Sequence, residues 1–354
     1  MKCETWLLLA CLLLAGCDAP APAAKGYAGL GSEAGAFSQV TPGVPLVFPR
    51  DHGAHDGYRI EWWYVTANLE DAQGRAWGAQ WTLFRSALRP GPETHDWHSP
   101  NLWMGHAALT GPGGHQVAET LARGGVGQAG VTAAPFQAWI DDWSLQGAPG
   151  IERLRMRARG QGFAYDLQLA SDKPLVLHGL QGYSEKSGKG QASYYYSQPF
   201  YQVTGEVERA GQRIAVTGQA WLDREWSSQP LAAGQRGWDW FSLHLQGGAK
   251  LMLFQVREDK GQAYRAGTWV DAQGHSQALQ GAQIELTPLA WARQANGKQV
   301  PTRWRVQVPS QRVDVEVEAL EPKAWMNTRF AYWEGPVRVK GSEAGRGYLE
   351  MTGY

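Results

Sequence analysis

The sequence predicts an all-β protein built from antiparallel hairpins and arranged in two similar halves. No stretch keeps apolar residues at helical spacing for more than a turn or two, whereas runs with two-residue alternation recur between short connections. The 354 residues include 44 glycines and 18 tryptophans, a composition in which glycine turns separate short aromatic strands. An aromatic hairpin of the first half also recurs, loosely, in the second.

The chain opens with Lys2 and an apolar run that closes at Leu14-Ala-Gly-Cys17. The run is too short for a permanent membrane span, so residues 1–16 read as an export signal. Cys3, Cys11 and Cys17 all fall in or beside that signal. The remainder therefore has no disulfide and no thiolate metal ligand. Cleavage takes one basic and one acidic residue, Lys2 and Glu4, from the 33 of each, so charges stay balanced. Balanced charge argues against a nucleic-acid partner and against electrostatic membrane binding. The length suggests two domains. The expected division is a signal over 1–16, an Ala/Pro/Gly-rich flexible tether over 17–45, and domains over 46–200 and 201–354.

The first strand is expected over Tyr58–Leu69. Its alternation sets Ile60, Trp62, Tyr64 and Thr66 on one face and Glu61, Trp63, Val65, Ala67 and Leu69 on the other. The turn 70–74 leads to a partner strand from Trp77 to Arg85. A strand containing His106 follows over 102–110, with others near 136–145, 151–159, 163–170 and 174–178. Three consecutive tyrosines, Tyr194–Tyr196, place hydroxyls on both faces of a strand. A new hairpin starts at Tyr201 and continues over 212–217. Beyond it, Trp238-Asp-Trp240 ending at Leu245, then a turn and Leu253-Phe254, repeats the pattern of Trp62-Trp-Tyr64 ending at Leu69 with Leu83-Phe84. Strands near 264–271, 283–287, 303–308, 312–318 and 336–340 precede a terminal strand that ties the C-terminus into the sheet.

The densest stretch is Trp221-Leu-Asp-Arg-Glu-Trp-Ser-Ser228. On a strand, Trp221, Asp223 and Glu225 share one face and Leu222, Arg224 and Trp226 the other. Whichever face turns inward takes a charge with it, and buried charges need partners. A structural ion-pair network explains such a run as well as a reactive site does.

Glu61-Trp-Trp-Tyr64, Gly182-Tyr-Ser-x-Lys186 with Tyr195-Tyr-Ser197, Asp223-Arg-Glu-Trp226 and Gly347-Tyr-Leu-Glu-x-Thr-Gly-Tyr354 together resemble the lipocalin-like, or AttH-type, proteins grouped with carotenoid hydratase. The resemblance runs from about residue 46 to the end. It implies two tandem lipocalin-like antiparallel β-barrels packed side by side, a role in handling lipids or isoprenoids, and association with an ABC-type transporter permease. Leu14-Ala-Gly-Cys17 resembles a bacterial lipobox, which implies lipid on Cys17 and a periplasm-facing membrane anchor. Asp18 resembles an inner-membrane retention signal. In the hydratase branch a His stands where this chain has Arg224, and arginine does not shuttle protons at neutral pH.

Two functions from different classes fit these residues. A passive binder would hold a lipid or isoprenoid against Trp62, Trp63, Tyr64, Tyr183, Tyr196, Trp226, Trp238 and Trp240, with Arg224 anchoring carboxylates and keeping them ionised. An enzyme would hydrate an isolated alkene, using a carboxylic acid whose burial lets it keep a proton and aromatic faces that stabilise the cation. Asp223, Asp239, Glu225 and Glu61 are the candidate acids, with Tyr195 positioning water and His106 a further catalytic candidate. An accessory lipoprotein docked on a transporter is the third reading. No cofactor is expected: Gly-x-Ser-x-Gly and phosphate-loop motifs are absent. His52 with His55 and His95 with His98 are loop pairs for which no metal is expected.

Overall fold

The computed structural model describes residues 36–229, 231–232 and 234–354. The export signal, Cys17 and Asp18 lie outside the described residues. The tether expected to 45 ends sooner. Ser38 donates its backbone N–H to Gly57 O and its carbonyl accepts from Ser228 Oγ, while Thr41 exchanges hydrogen bonds with the Tyr194 hydroxyl. Val40 is buried beside them, so apolar contact and paired backbone groups fix this segment against the first sheet.

Two antiparallel sheets make the fold, and among the described residues the helical turns are only short 3-10 pieces such as Arg50–His52. The first sheet contains β1 (Ile60–Asp71), β2 (Ala76–Ala87), β3 (Asn101–Gly111), β4 (Gly114–Arg123), β5 (Ala129–Ala133), β6 (Phe136–Ile140) and β7 (Trp143–Gly147). It continues through β8 (Arg153–Gly160), β9 (Phe163–Ala170), β10 (Val176–Leu177), β11 (Tyr183–Glu185), β12 (Ala192–Arg209) and β13 (Gln212–Ser227). The second contains β14 (Gln235–Leu245), β15 (Lys250–Glu258), β16 (Tyr264–Val270), β17 (Ser276–Gln280), β18 (Glu285–Arg293) and β19 (Gln299–Val308), then β20 (Val313–Ala319), β21 (Trp325–Met326), β22 (Tyr332–Gly341) and β23 (Gly345–Met351). The first curls into a nearly closed barrel and the second into a half-barrel, as the all-β reading of tandem barrels expects.

The strand orders match. One sheet reads β4-β3-β2-β1-β13-β12-β9-β8-β7-β6-β5 and the other β17-β16-β15-β14-β23-β22-β20-β19-β18. In both, the first strand lies between its hairpin partner and the last strand of its own sheet. The sequence repeat is therefore a repeat of topology, with β1 equivalent to β14 and β13 to β23. The expected division at 200/201 falls inside β12, and the sheets change over between Ser227 and Gln235. The physical reason is pairing: β13 bonds to β1 along its length from Val216 to Ser227, so the charged stretch at Asp223 belongs to the first sheet.

Alternation along β1 and β13 gives each sheet two uses. Trp63, Val65, Ala67, Leu69, Leu222 and Trp226 point into the core of the first barrel, and Tyr64, Tyr195 and Trp221 join Trp240, Met252, Phe254 and Tyr348 in a second cluster between the sheets. The sheets meet closely there. A Cβ at Gly78 would lie 2.5 Å from Tyr348 Oη and 2.6 Å from Pro336 Cγ, so glycine is what lets β2 seat against the opposing sheet.

Candidate active site

The inward face of β1 and β13 carries an ion cluster. Glu61 is fully buried. Arg85 Nε donates to its Oε1 at 2.6 Å, and Arg224 Nη2 to Oε2 at 3.2 Å, with His55 Nδ1 3.0 Å away. Burial pushes the Glu61 carboxyl up, but Arg85, His55 and Arg224 outweigh it and hold the group well below the usual carboxylate range. Arg224 also donates to Trp62 O and Gly53 O and stacks 3.9 Å from the Trp63 ring. Arg224 therefore pairs with neither Asp223 nor Glu225. Alternation turns it to the opposite face of β13, where Glu61 on the adjacent strand is within reach.

Several expected site residues are committed to this interior. Trp63 donates to His52 O, Tyr196 Oη lies 2.7 Å from His52 Nδ1, and Trp226 stacks on His55 at 3.9 Å. Tyr183 is half-buried against the same core. Glu61 and Arg85 border the cavity described next, but their charged ends belong to the cluster. Asp239 lies on the other face of β14 from Trp238 and Trp240. It accepts from Tyr354 Oη at 2.9 Å and Gln255 Nε2 at 2.8 Å, faces Arg257 Nε at 3.3 Å, and takes no part in the cavity lining. Among the described residues no cluster of His, Cys, Asp and Glu has metal-site geometry. His55 is bound to Glu61, while the side chains of His95 and His98 stand on an exposed loop.

The other face opens on a cavity of about 380 Å³ between the sheets. Its walls are mostly apolar and include Trp62, Tyr64, Phe84, Met104, Trp238, Trp240 and Phe254, with His106 and Tyr332 to one side. The reactive groups come from both sheets. Asp223 is buried and accepts from Trp221 Nε1 at 2.6 Å, Tyr195 Oη at 2.7 Å and the Ser197 hydroxyl. Burial nevertheless pushes its carboxyl up to about 7 against those three donors, with Glu225 adding to the rise. Glu225 itself accepts from Ser193 and pairs with Lys186 Nζ at 2.9 Å, whose ammonium lies over the Tyr195 and Phe254 rings.

From the second sheet comes Glu350, half-buried and accepting from Trp238 Nε1 at 2.9 Å. Burial pushes it up to about 7 as well, Trp238 opposing and Asp223 and Glu225 adding. Glu334 lies directly across from it on β22 and is driven well above the usual range by burial and by Glu350. The Tyr64 hydroxyl donates to Glu334. Asp223 pairs in register with Tyr64, and Glu350 with Trp240. Because Tyr64 and Trp240 are matching positions of the repeat, Asp223 and Glu350 are matching positions too. His106 is buried between Tyr332 Oη at 3.1 Å and Glu119 at 3.3 Å, and burial lowers its pKa.

Of the residues singled out by sequence, the cavity gathers Asp223, Glu225, His106, Tyr195, Trp62, Tyr64, Trp238 and Trp240. Sequence reasoning missed Lys186, Ser197, Glu334 and Glu350. The first two and Glu350 stand inside motifs already quoted, so a signal existed without a role. Glu334, in Tyr332-Trp-Glu334, had none.

The family model described as AttH-like matches residues 39–354. A provisionally named AttH from Nitrosomonas europaea has a crystal structure with a TM-score of 0.79 at 37% identity, covering 90% of this chain and 100% of that one. Kievitone hydratase from Nectria haematococca shares the fold with a TM-score of 0.66 at 15% identity, over 90% of this chain and 96% of its own. CghA, solved with Sch210972, shares it more distantly, with a TM-score of 0.52 at 12% identity over 84% and 88%. Comparison with curated protein sequences gives no match.

Proposed function

The chain belongs to the AttH-like family, and from that premise we propose that it is a hydratase-type enzyme that adds water to a carbon–carbon double bond of an apolar, isoprenoid-like substrate. The observation that carries this reading is the pair Asp223 and Glu350. Two carboxyls from two sheets face one apolar cavity, and both are displaced to near neutrality. Burial that holds both carboxyls near neutrality lets one serve as acid and the other as base at neutral pH.

The geometry favours Asp223 as the donor. When it gives its proton to the alkene carbon, the π electrons form the new C–H bond and leave a cation on the more substituted carbon. The carboxylate left behind is met by three preorganised donors, Trp221, Tyr195 and Ser197, which stabilise the charge as it forms. Trp62, Trp240 and Tyr64 line the cavity, and an aromatic face turned to the cation is worth about 0.5–2 kcal/mol. Water adds its oxygen to that carbon and passes a proton to Glu350, and exchange with solvent resets both groups. A cavity of this volume is at the small end of the roughly 300–1,000 Å³ typical of ligand sites. It encloses a short isoprenoid or the reacting end of a longer one.

A passive carrier would use the same apolar walls, but it leaves two displaced carboxyls without a task. The experiment that separates the two is incubation with short acyclic isoprenoids in ¹⁸O-labelled water. Hydration predicts labelled tertiary alcohol with wild type and almost none with Asp223→Asn or Glu350→Gln. Tight retention of unaltered isoprenoid by all three proteins would establish the carrier instead. We also place the protein at the periplasmic face of a membrane, anchored through Cys17, on the strength of the lipobox resemblance alone. Incorporation of a palmitate analogue that survives Cys17→Ala would refute that placement.

A further inference from the structure

The hydrogen bonding of Asp223 continues beyond its three donors. Ser197, whose hydroxyl donates to Asp223 Oδ1, lies 2.6 Å from His178 Nε2, and His178 Nδ1 lies 2.8 Å from Thr268 Oγ1 on the opposing sheet. His178 is fully buried, its ring 4.1 Å from that of Tyr195. Its backbone N–H donates to Tyr195 O and its carbonyl accepts from Gly182 N. The ring is therefore fixed at both nitrogens and along the main chain. Burial, with Lys186 adding, holds its pKa well below the ordinary histidine value, so it stays neutral.

A neutral imidazole donates from one nitrogen and accepts at the other, and each hydroxyl has one proton to give. The donor directions along this row are consequently linked. When Asp223 is ionised, Ser197 donates to it, Ser197 Oγ accepts from His178 Nε2–H, and bare Nδ1 accepts from Thr268. When Asp223 holds a proton on Oδ1 and donates to Ser197, the row runs the other way and His178 carries its proton on Nδ1. The two arrangements differ by tautomer and by hydroxyl rotation, and neither places a charge on the buried ring.

We propose that His178 is the positioning residue for Asp223: by exchanging tautomers it turns the Ser197 hydroxyl and so fixes whether Asp223 holds its proton. This rests on the reading of Asp223 as the proton donor. The other groups that bear on Asp223, namely Trp221, Tyr195, Glu225, Glu350 and the Lys186 ammonium beyond Tyr195, act on it directly or through space. Among the described residues, His178 is the side chain that acts through Ser197. The chain of contact also explains why a histidine absent from every recognisable motif is held so firmly between the sheets.

The test is an NMR titration of the full-length protein carrying ¹³C-labelled aspartate and ¹⁵N-labelled histidine, with the Asp223 resonance identified by its loss in Asp223→Asn. In wild type, the His178 ring nitrogens should exchange their protonated and bare shifts over the same pH range in which Asp223 titrates, with no imidazolium signal. In Ser197→Ala the Asp223 midpoint should rise by about one pH unit, a tenfold change in proton affinity. The His178 tautomer should then no longer follow it. A His178 ring that keeps one tautomer throughout the wild-type titration overturns the proposal, as does an Asp223 midpoint unmoved by Ser197→Ala. Neither readout requires turnover. Coupled titration without hydration would overturn only the hydratase reading, and hydration without coupling would overturn only this one.

Discussion

Glu61 and Asp223 are carboxyls on paired strands, each buried and each within hydrogen-bond reach of several donors, yet they are driven in opposite directions. Glu61 faces the barrel interior and meets two guanidinium groups and an imidazole. Asp223 faces the seam and meets an indole, a phenol and a hydroxyl, none of them charged. Neutral donors lower a carboxyl pKa less than full positive charges do, so burial is outweighed at Glu61 and prevails at Asp223. Burial raises the cost of any charge. What stands opposite decides whether the charge stays.

Removing one carboxylate charge from each side breaks the comparison most directly. Asp223→Asn should lower hydration turnover by about 10²–10⁴-fold, the usual contribution of a positioned acid, while leaving stability unchanged or slightly raised. Unfolding in denaturant beside labelled-water kinetics reads both. Glu61→Gln should do the reverse of the stability result, costing about 3–5 kcal/mol because Arg85 and Arg224 are left as buried cations without a counter-ion. Equal stability losses for the two variants would show that the sites do not differ as described.

The pH dependence of stability sharpens the contrast further. Asp223 and Glu350 bind their protons more tightly when folded, so the stability they contribute is full below about pH 4 and is lost as pH rises through about 7. For Asp223 alone the span is on the order of 4 kcal/mol. Glu61 has the opposite sign: its contribution is present above its unfolded pKa, near 4.5, and is lost only as pH falls through its lowered folded value. Chemical denaturation across pH 4–8 should show Asp223→Asn gaining stability relative to wild type as pH rises, because the variant lacks the proton-linked loss at position 223. The smallest effect is expected from Trp238→Phe, which takes one neutral donor from Glu350 and should raise its titration midpoint by less than one pH unit, read by carboxyl infrared bands.

Much of this was legible in the sequence, because alternation is a local property. The faces of β1, with Glu61 and Trp63 inward and Trp62 and Tyr64 at the seam, follow from counting by twos. So does the separation of Asp223 and Glu225 from Arg224. Alternation also held the warning that Arg224 could not serve those two carboxylates, although adjacency in the chain suggested that it would. The strand partner that claims Arg224 lies more than 160 residues away, and no local pattern names it. Glu334 and His178 were invisible for the same reason. Each is an ordinary residue in its own segment, and each gains its meaning from a contact across the seam, Glu334 with Tyr64 and His178 with Thr268. The expected division at 200/201 rested on a hairpin starting at Tyr201, whereas β12 runs from Ala192 to Arg209 through that position.

The matching strand orders of the two sheets have a consequence for how such a centre can arise. Asp223 and Glu350 occupy one position of a strand pattern that is present twice, once in each sheet. A pair of identical subunits meeting on this surface would have set two copies of one acidic side chain against each other in a dry cleft. Electrostatics alone would then have allotted a single proton between them. Division of labour between donor and acceptor thus needs no prior difference in genetic instruction; duplication supplies the partner, and later substitutions need only settle which copy plays which part.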